Sequence, residues 1–277
     1  MNIKLLVGTS LALVSTSCFA VGEIVIKNGD SIAFLGDSIT QLGNSQKPNG
    51  YVNLVIEGLK SAGVNAVPIP AGVGGNTAND MLARLDRDVI AKKPVWMTLN
   101  SGINDCGKRI SVEEFGANIT KIVDQARAAG IKVILLNTTI SDGENLESPG
   151  CLIRLKYCEE FQKLAHSRNL LLVDLNTMMA GELIARKKDG VKGLKLTYDG
   201  THLNGAGNQL VAAEILKSLG VSESDVAALR KRWADYPSAV GMPEVTINDY
   251  VKLKAAADKN GKTIEEQASE ILTKSAN

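Results

Sequence analysis

The stretch SIAFLGDSIT at residues 31–40 decides the fold. Ile32 to Leu35 is a short apolar run without polar alternation, the pattern of a strand covered on both faces, and Gly36, Asp37 and Ser38 follow it at once as a turn. Working outward, apolar runs of the same kind recur at Ala66 to Ile69, Val95 to Leu99, Val133 to Leu136 and Leu170 to Val173. Helical patterns lie between them. Tyr51 to Ala62 places Leu54, Val55 and Leu59 on one side, Ala78 to Ile90 does so with Met81, Leu82, Leu85 and Val89, and Val112 to Ala129 with Phe115, Ile119, Ile122 and Val123. Ser111 and Glu114 carry a capping-box signature at the start of the last of these, and Gly130 ends it. Further helices are expected over Leu152 to Ala165 and Gly207 to Leu219. Strands alternating with helices predict an α/β fold, a three-layer α/β/α sandwich with about five largely parallel strands.

Composition narrows the function. The 277 residues are 44% hydrophobic and 22% charged with a formal net charge of +1, which is globular and gives no electrostatic basis for nucleic-acid binding. Lys4, the apolar run from Leu5 to Val14 and the exit Cys18, Phe19, Ala20 form a signal-peptide pattern over residues 1–20. A secreted or periplasmic protein is therefore expected, cleaved after Ala20, with lipidation at Cys18 as a minor variant. No later stretch reads as a membrane span. Cys106, Cys151 and Cys158 remain after cleavage. Two helical turns separate the last two, too far for an unstrained bridge within one helix, so free and mostly buried thiols are expected.

Open parallel sheets bind ligands beyond the carboxyl ends of their strands. Four polar clusters fall there or nearby. Gly36, Asp37, Ser38, Ile39, Thr40 can present a serine hydroxyl above the sheet on a strand-to-helix turn, although a structural turn has the same composition. Gly72, Val73, Gly74, Gly75, Asn76, Thr77 supply backbone N–H groups that a ligand can approach, and they do not match the dinucleotide fingerprint. Gly102, Ile103, Asn104, Asp105 offer a side-chain amide that either donates to a developing oxyanion or merely makes an Asx turn. Asp199, Gly200, Thr201, His202 place a carboxylate three residues before one of the chain's two histidines, where it can set the ring tautomer. The other, His166, suits a solvated helix end.

Together the four blocks, GDSIT at 36–40, GVGGNT at 72–77, GIND at 102–105 and DGTH at 199–202, resemble the SGNH or GDSL hydrolase family from about Ile32 to Leu219. The resemblance implies a flavodoxin-like α/β/α fold and a serine esterase. It implies Ser38 as nucleophile, His202 and Asp199 as its partners, an oxyanion hole of Ser38, Gly75 and Asn104, and no metal or other cofactor. The substrate class expected is a small ester, foremost an O-acetylated glycan, because the pattern indicates export and the loop from Ser141 to Gly150 is polar. A lysophospholipase, lipase or thioesterase of the same family, a glycan O-acyltransferase and a noncatalytic carbohydrate-binding protein are the alternatives.

The remainder reads as an appendage. Ser222 to Trp233 is a charged helix and Pro237 to Pro243 a turn-rich linker. Val245 to Ile247 then reads as a short strand before two helices, Asp249 to Asn260 and Thr263 to Lys274, an order that vaguely resembles a ribbon-helix-helix module. Elements this small need another surface to bury against. That surface is expected to be their own hydrolase domain, with a homodimer through residues 244–277 as the alternative.

Overall fold

A computed structural model describes residues 23–190, 193–236 and 247–275. The signal-peptide pattern, the linker at 237–243 and residues 245–246 lie outside them. In chain order the elements are β1 (Ser31–Gly36), α1 (Ser38–Ser45), α2 (Tyr51–Ser61), β2 (Val67–Gly72), α3 (Ala78–Asp88), β3 (Trp96–Asn100), α4 (Ile103–Gly107), α5 (Val112–Ala128), β4 (Lys132–Leu136), α6 (Pro149–Arg168), β5 (Leu171–Val173), α7 (Leu175–Lys188), α8 (Gly205–Ser218), α9 (Glu223–Trp233), α10 (Ile247–Lys259) and α11 (Ile264–Ser275).

The five strands form one sheet in the order β2-β1-β3-β4-β5, and every pairing is parallel. Strand periodicity explains why both faces are apolar. Along β1, Ile32 and Phe34 enter one core with residues of α2, α7, α8 and α9, while Ala33 and Leu35 enter the other with residues of α3, α5 and α6. The predicted three-layer sandwich is therefore present.

One strand departs from the expected double burial. β2 lies at the sheet edge with Val67 53% exposed, and Pro68 and Pro70, which cannot donate to a ladder, fit only there. Three helices were not read from the sequence. Helices α1 and α4 have eight and five residues, too short for a periodic signal. In α7 the buried Leu175, Met179 and Leu183 do recur every fourth residue, and Asp174 caps it by accepting from Thr177 N at 3.0 Å.

Beyond α8 the chain continues into the same core. Val226, Leu229 and Trp233 of α9 join it, and Gln209 of α8 donates to Trp233 O at 2.6 Å. Ile247, expected in a strand, opens α10 instead; Asn248 Nδ2 ties its first turn to Asp235 Oδ1 at 2.8 Å. Among the described residues no helix is long and apolar enough to cross a membrane. Cys106, Cys151 and Cys158 are free, the last two buried, as expected.

Candidate active site

The strand order places a switch point between β1 and β3, because the chain leaves β1 for β2 on one side and returns to β3 on the other. A crevice opens beyond the carboxyl ends of such a pair. Ser38 follows β1 as the first residue of α1, and Asn104 follows β3 in α4.

The turn at Ser38 is set by its neighbours. Asp37, fully buried, caps α1 by accepting from Ile39 N at 2.9 Å. At Gly36 a Cβ would come within 2.0 Å of Thr40 Oγ1, so only glycine lets the helix begin so close to the strand. The glycine block after β2 lies alongside: a Cβ on Gly74 would sit 3.8 Å from Ser38 Cβ, and Gly74 N donates to Gln41 Oε1 at 2.9 Å. Gly75 has φ of 76°, a left-handed conformation that favours glycine.

Asn104 reaches the same turn from β3. Its Nδ2 donates to Asn76 O at 3.0 Å and to Asp37 Oδ2 at 3.4 Å. Two side chains hold these blocks together, Arg84, which sequence reasoning passed over, and Asp105, which it placed in the third block without this role. Arg84 of α3, almost fully buried, donates to Asn76 Oδ1 at 2.6 Å and Gly36 O at 2.9 Å while pairing with Asp88 at 3.0 Å. An arginine on the helix face shared by Met81 and Leu85 was the available signal. Asp105, also buried, accepts from Ala78 N at 3.0 Å and so links α4 to the start of α3.

The fourth block completes the group across 164 residues of sequence. His202 Nε2 lies 2.9 Å from Ser38 Oγ, and His202 Nδ1 lies 2.6 Å from Asp199 Oδ2. Asp199 Oδ1 accepts from His202 N at 2.7 Å and Thr201 N at 3.0 Å. Burial pushes the Asp199 carboxyl up, but the hydrogen bonds from the His202 ring and the two backbone N–H groups outweigh it and hold the carboxyl below its usual range. Tyr198 stacks on the His202 ring with centroids 5.8 Å apart. His166 is exposed in the last turn of α6, away from this group, as its helix-end reading required. Such an arrangement can move a proton from a hydroxyl to an imidazole while a carboxylate holds the ring.

Burial, followed by the repulsion of Asp105, raises the Asp37 carboxyl from 3.8 to about 6, against the pull of its Ile39 hydrogen bond. Between those values the unfolded chain has released a proton that the folded chain keeps, so Asp37 makes stability fall as pH rises from about 4 to about 6. Asp37→Asn is expected to remove this component and flatten the melting temperature over that interval. Calorimetry across the pH range checks it, and an unchanged slope would exclude Asp37 as its source.

A parallel sheet with a serine, a histidine and a carboxylate joined beyond its strand ends defines a hydrolytic enzyme of the esterase type. The chain belongs to the GDSL-like lipase/acylhydrolase family, which it matches over residues 34–210. It is 28% identical over 185 residues to an acetylxylan esterase of Geobacillus stearothermophilus, covering 62% of this chain and 81% of that one. A solved structure of an acetylxylan esterase from that organism superposes with a TM-score of 0.62 at 26% identity, covering 71% and 97% of the two chains. The solved acetyl xylan esterase AlAXEase gives 0.62 at 28% identity over 68% and 98%. The esterase TesA of Pseudomonas aeruginosa is 32% identical over 87 residues, 31% of this chain and 43% of that one.

Proposed function

We propose that the enzyme removes short acyl groups, acetyl foremost, from carbohydrate esters through an acyl-Ser38 intermediate. The observation that carries this reading is the continuous relay from Ser38 Oγ through His202 to Asp199, with contacts of 2.9 and 2.6 Å. His202 Nε2 takes the Ser38 proton as Oγ attacks the ester carbonyl, and the carbonyl π electrons move to oxygen. The N–H groups of Ser38 and Gly75 hold that oxyanion together with Asn104 Nδ2, which gives up its long 3.4 Å contact to Asp37 Oδ2 to do so. Collapse expels the alcohol, which His202 protonates. A water then repeats the steps and releases the acid, regenerating Ser38 without a cofactor.

Three lines support the substrate class. Two of the similar proteins are acetylxylan esterases. The triad, as distinct from the substrate, is supported by catalytic mutants of the Geobacillus enzyme that replace a serine, an aspartate and a histidine three residues after that aspartate, the spacing of Asp199 and His202. Tyr198, 45% exposed beside His202, offers a flat apolar face on which a sugar ring can rest. The pattern over residues 1–20 adds export to the reading and puts the enzyme among extracellular glycans.

The test is kinetic. With acetyl, butyryl, octanoyl and palmitoyl esters, kcat/KM is expected to be highest at acetyl, with acetate released from acetylated xylan, pectin or chitin oligomers. A steady rise to palmitoyl without acetate from any glycan would move the enzyme to the lipase side of its family.

A further inference from the structure

The segment between β4 and α6 bends in a way that few residues accept. Asp142, Gly143 and Glu144 run consecutively at φ of 57°, 64° and 60°. Two of the three carry a Cβ, for which this left-handed region is unfavourable, so surrounding contacts must impose it. They are unusually complete. The Asp142 carboxylate pairs at 2.9 Å with Arg154, itself only 2% exposed, and accepts from Ser148 Oγ at 2.7 Å.

The turn so fixed grips one other segment. Glu144 Oε1 accepts from Leu196 N at 2.7 Å, Thr197 N at 2.8 Å and Thr197 Oγ1 at 2.8 Å, while Oε2 accepts from Lys195 N at 2.7 Å. A few residues on, Gly143 N donates to Gly200 O at 3.1 Å. The two backbones are so close there that a Cβ on Gly200 would lie 2.8 Å from Gly143 Cα. The gripped segment begins a closed loop. Thr197 bridges Leu203, Tyr198 N donates to His202 O at 3.0 Å, and Asn204 N donates to Leu196 O at 3.0 Å. Asp199 and His202 sit on that loop, and Glu144 holds one side of its neck.

We propose that Glu144 is a positioning residue that holds the Leu196–Asn204 loop, and with it His202 Nε2, within hydrogen-bond reach of Ser38 Oγ. The proposal rests on the reading of Ser38, His202 and Asp199 as the reacting group. Glu144 touches none of the three, so it acts through the backbone it binds. A single carboxylate takes three successive N–H groups and a hydroxyl, whereas an uncharged replacement leaves donors facing each other. Because a displacement of about 1 Å in a reacting group can cost on the order of 10²-fold in rate, a loosened neck is expected to appear in kcat.

Glu144→Gln keeps the size and one acceptor oxygen but turns an NH₂ toward a backbone donor. In the folded variant, kcat for a small acetyl ester is expected to fall by about 10- to 100-fold with KM little changed. The downfield proton resonance of His202 Nδ1–H, which faces Asp199 Oδ2 at 2.6 Å in the parent, is expected to broaden or shift. Thr197→Val removes only the hydroxyl donor and is expected to lower kcat by about 3-fold, the scale of one hydrogen bond. It also decides the matter should Glu144→Gln fail to fold. Parental kcat and an unchanged resonance in either folded variant would overturn the proposal, as would a loss confined to KM. Ser38→Ala and His202→Ala run alongside keep the two readings distinguishable. If both are inactive while Glu144→Gln keeps parental kcat, the positioning role alone fails. If either retains parental turnover, the reacting group is misassigned and the proposal falls with it.

Discussion

Ser38→Ala is expected to lower ester turnover by on the order of 10⁶-fold while leaving the fold intact. The size follows from the proposed covalent step: without Oγ no acyl-enzyme forms, and what remains is unassisted attack by water on an ester held by the oxyanion donors. The fold should survive because the Ser38 side chain does not build the turn. Asp37 makes the cap to Ile39 N, Gly36 permits the close approach of Thr40, and alanine suits the first turn of a helix better than serine. His202 is part of the same unit, so Ser38→Ala/His202→Ala should lose no more activity than Ser38→Ala alone. Turnover of a short ester, far-UV circular dichroism and labelling by a serine-directed phosphonate should be measured on the same preparations. A folded Ser38→Ala protein with parental turnover would remove Ser38 as nucleophile.

Asp199→Asn is expected to cost about 10³- to 10⁴-fold in kcat near neutral pH. The geometry specifies how. Asp199 Oδ1 is committed to the His202 and Thr201 N–H groups, at 2.7 and 3.0 Å, and only an oxygen can serve there. The asparagine NH₂ must then take the Oδ2 position, 2.6 Å from His202 Nδ1, where it donates to the ring. The ring proton moves to Nε2, which faces Ser38 Oγ at 2.9 Å and can no longer accept its proton. Nitrogen-15 spectra of the imidazole should show the tautomer exchanged. A kcat within about 10-fold of the parent would mean that Asp199 does not set the ring. Its 43% exposure is the reason the lower end of the range is included, since water can compete for the ring nitrogen.

Much of the fold was legible because parallel strands covered on both faces must be apolar at every position. Ile32 to Leu35 and Val133 to Leu136 can hardly be read otherwise, and each observed strand begins or ends within a few residues of its apolar run. β2 was read as buried although its two prolines already pointed to an edge. Helix α7 was missed because its buried positions are few among polar ones. The blocks around Ser38, Gly75, Asn104 and His202 could be marked out for a different reason: each lies in a glycine-bearing turn at or near a strand end, and the four together resemble one family's motifs. Arg84 was not legible, and neither was the contact made by Asp105, although its block was. Their importance lies in the partners they reach, and those partners are separated in sequence by up to 48 residues. The polarity of the loop at 141–150 was taken as a sign of a small polar ester substrate, yet Asp142 and Glu144 are spent on Arg154, Ser148 and the 195–197 backbone.

By itself the sequence determined the layered α/β architecture, through periodicity that is a local property of the chain, and, through the resemblance of its four polar blocks, the family. Only the tertiary structure decided the strand order that opens a crevice between β1 and β3, and the approach of His202 to Ser38 across 164 residues. It alone also showed the hold of Glu144 on the loop beneath Asp199. These depend on hydrogen bonds between distant segments, whose partners are chosen by how the layers pack and leave no periodic trace in the chain.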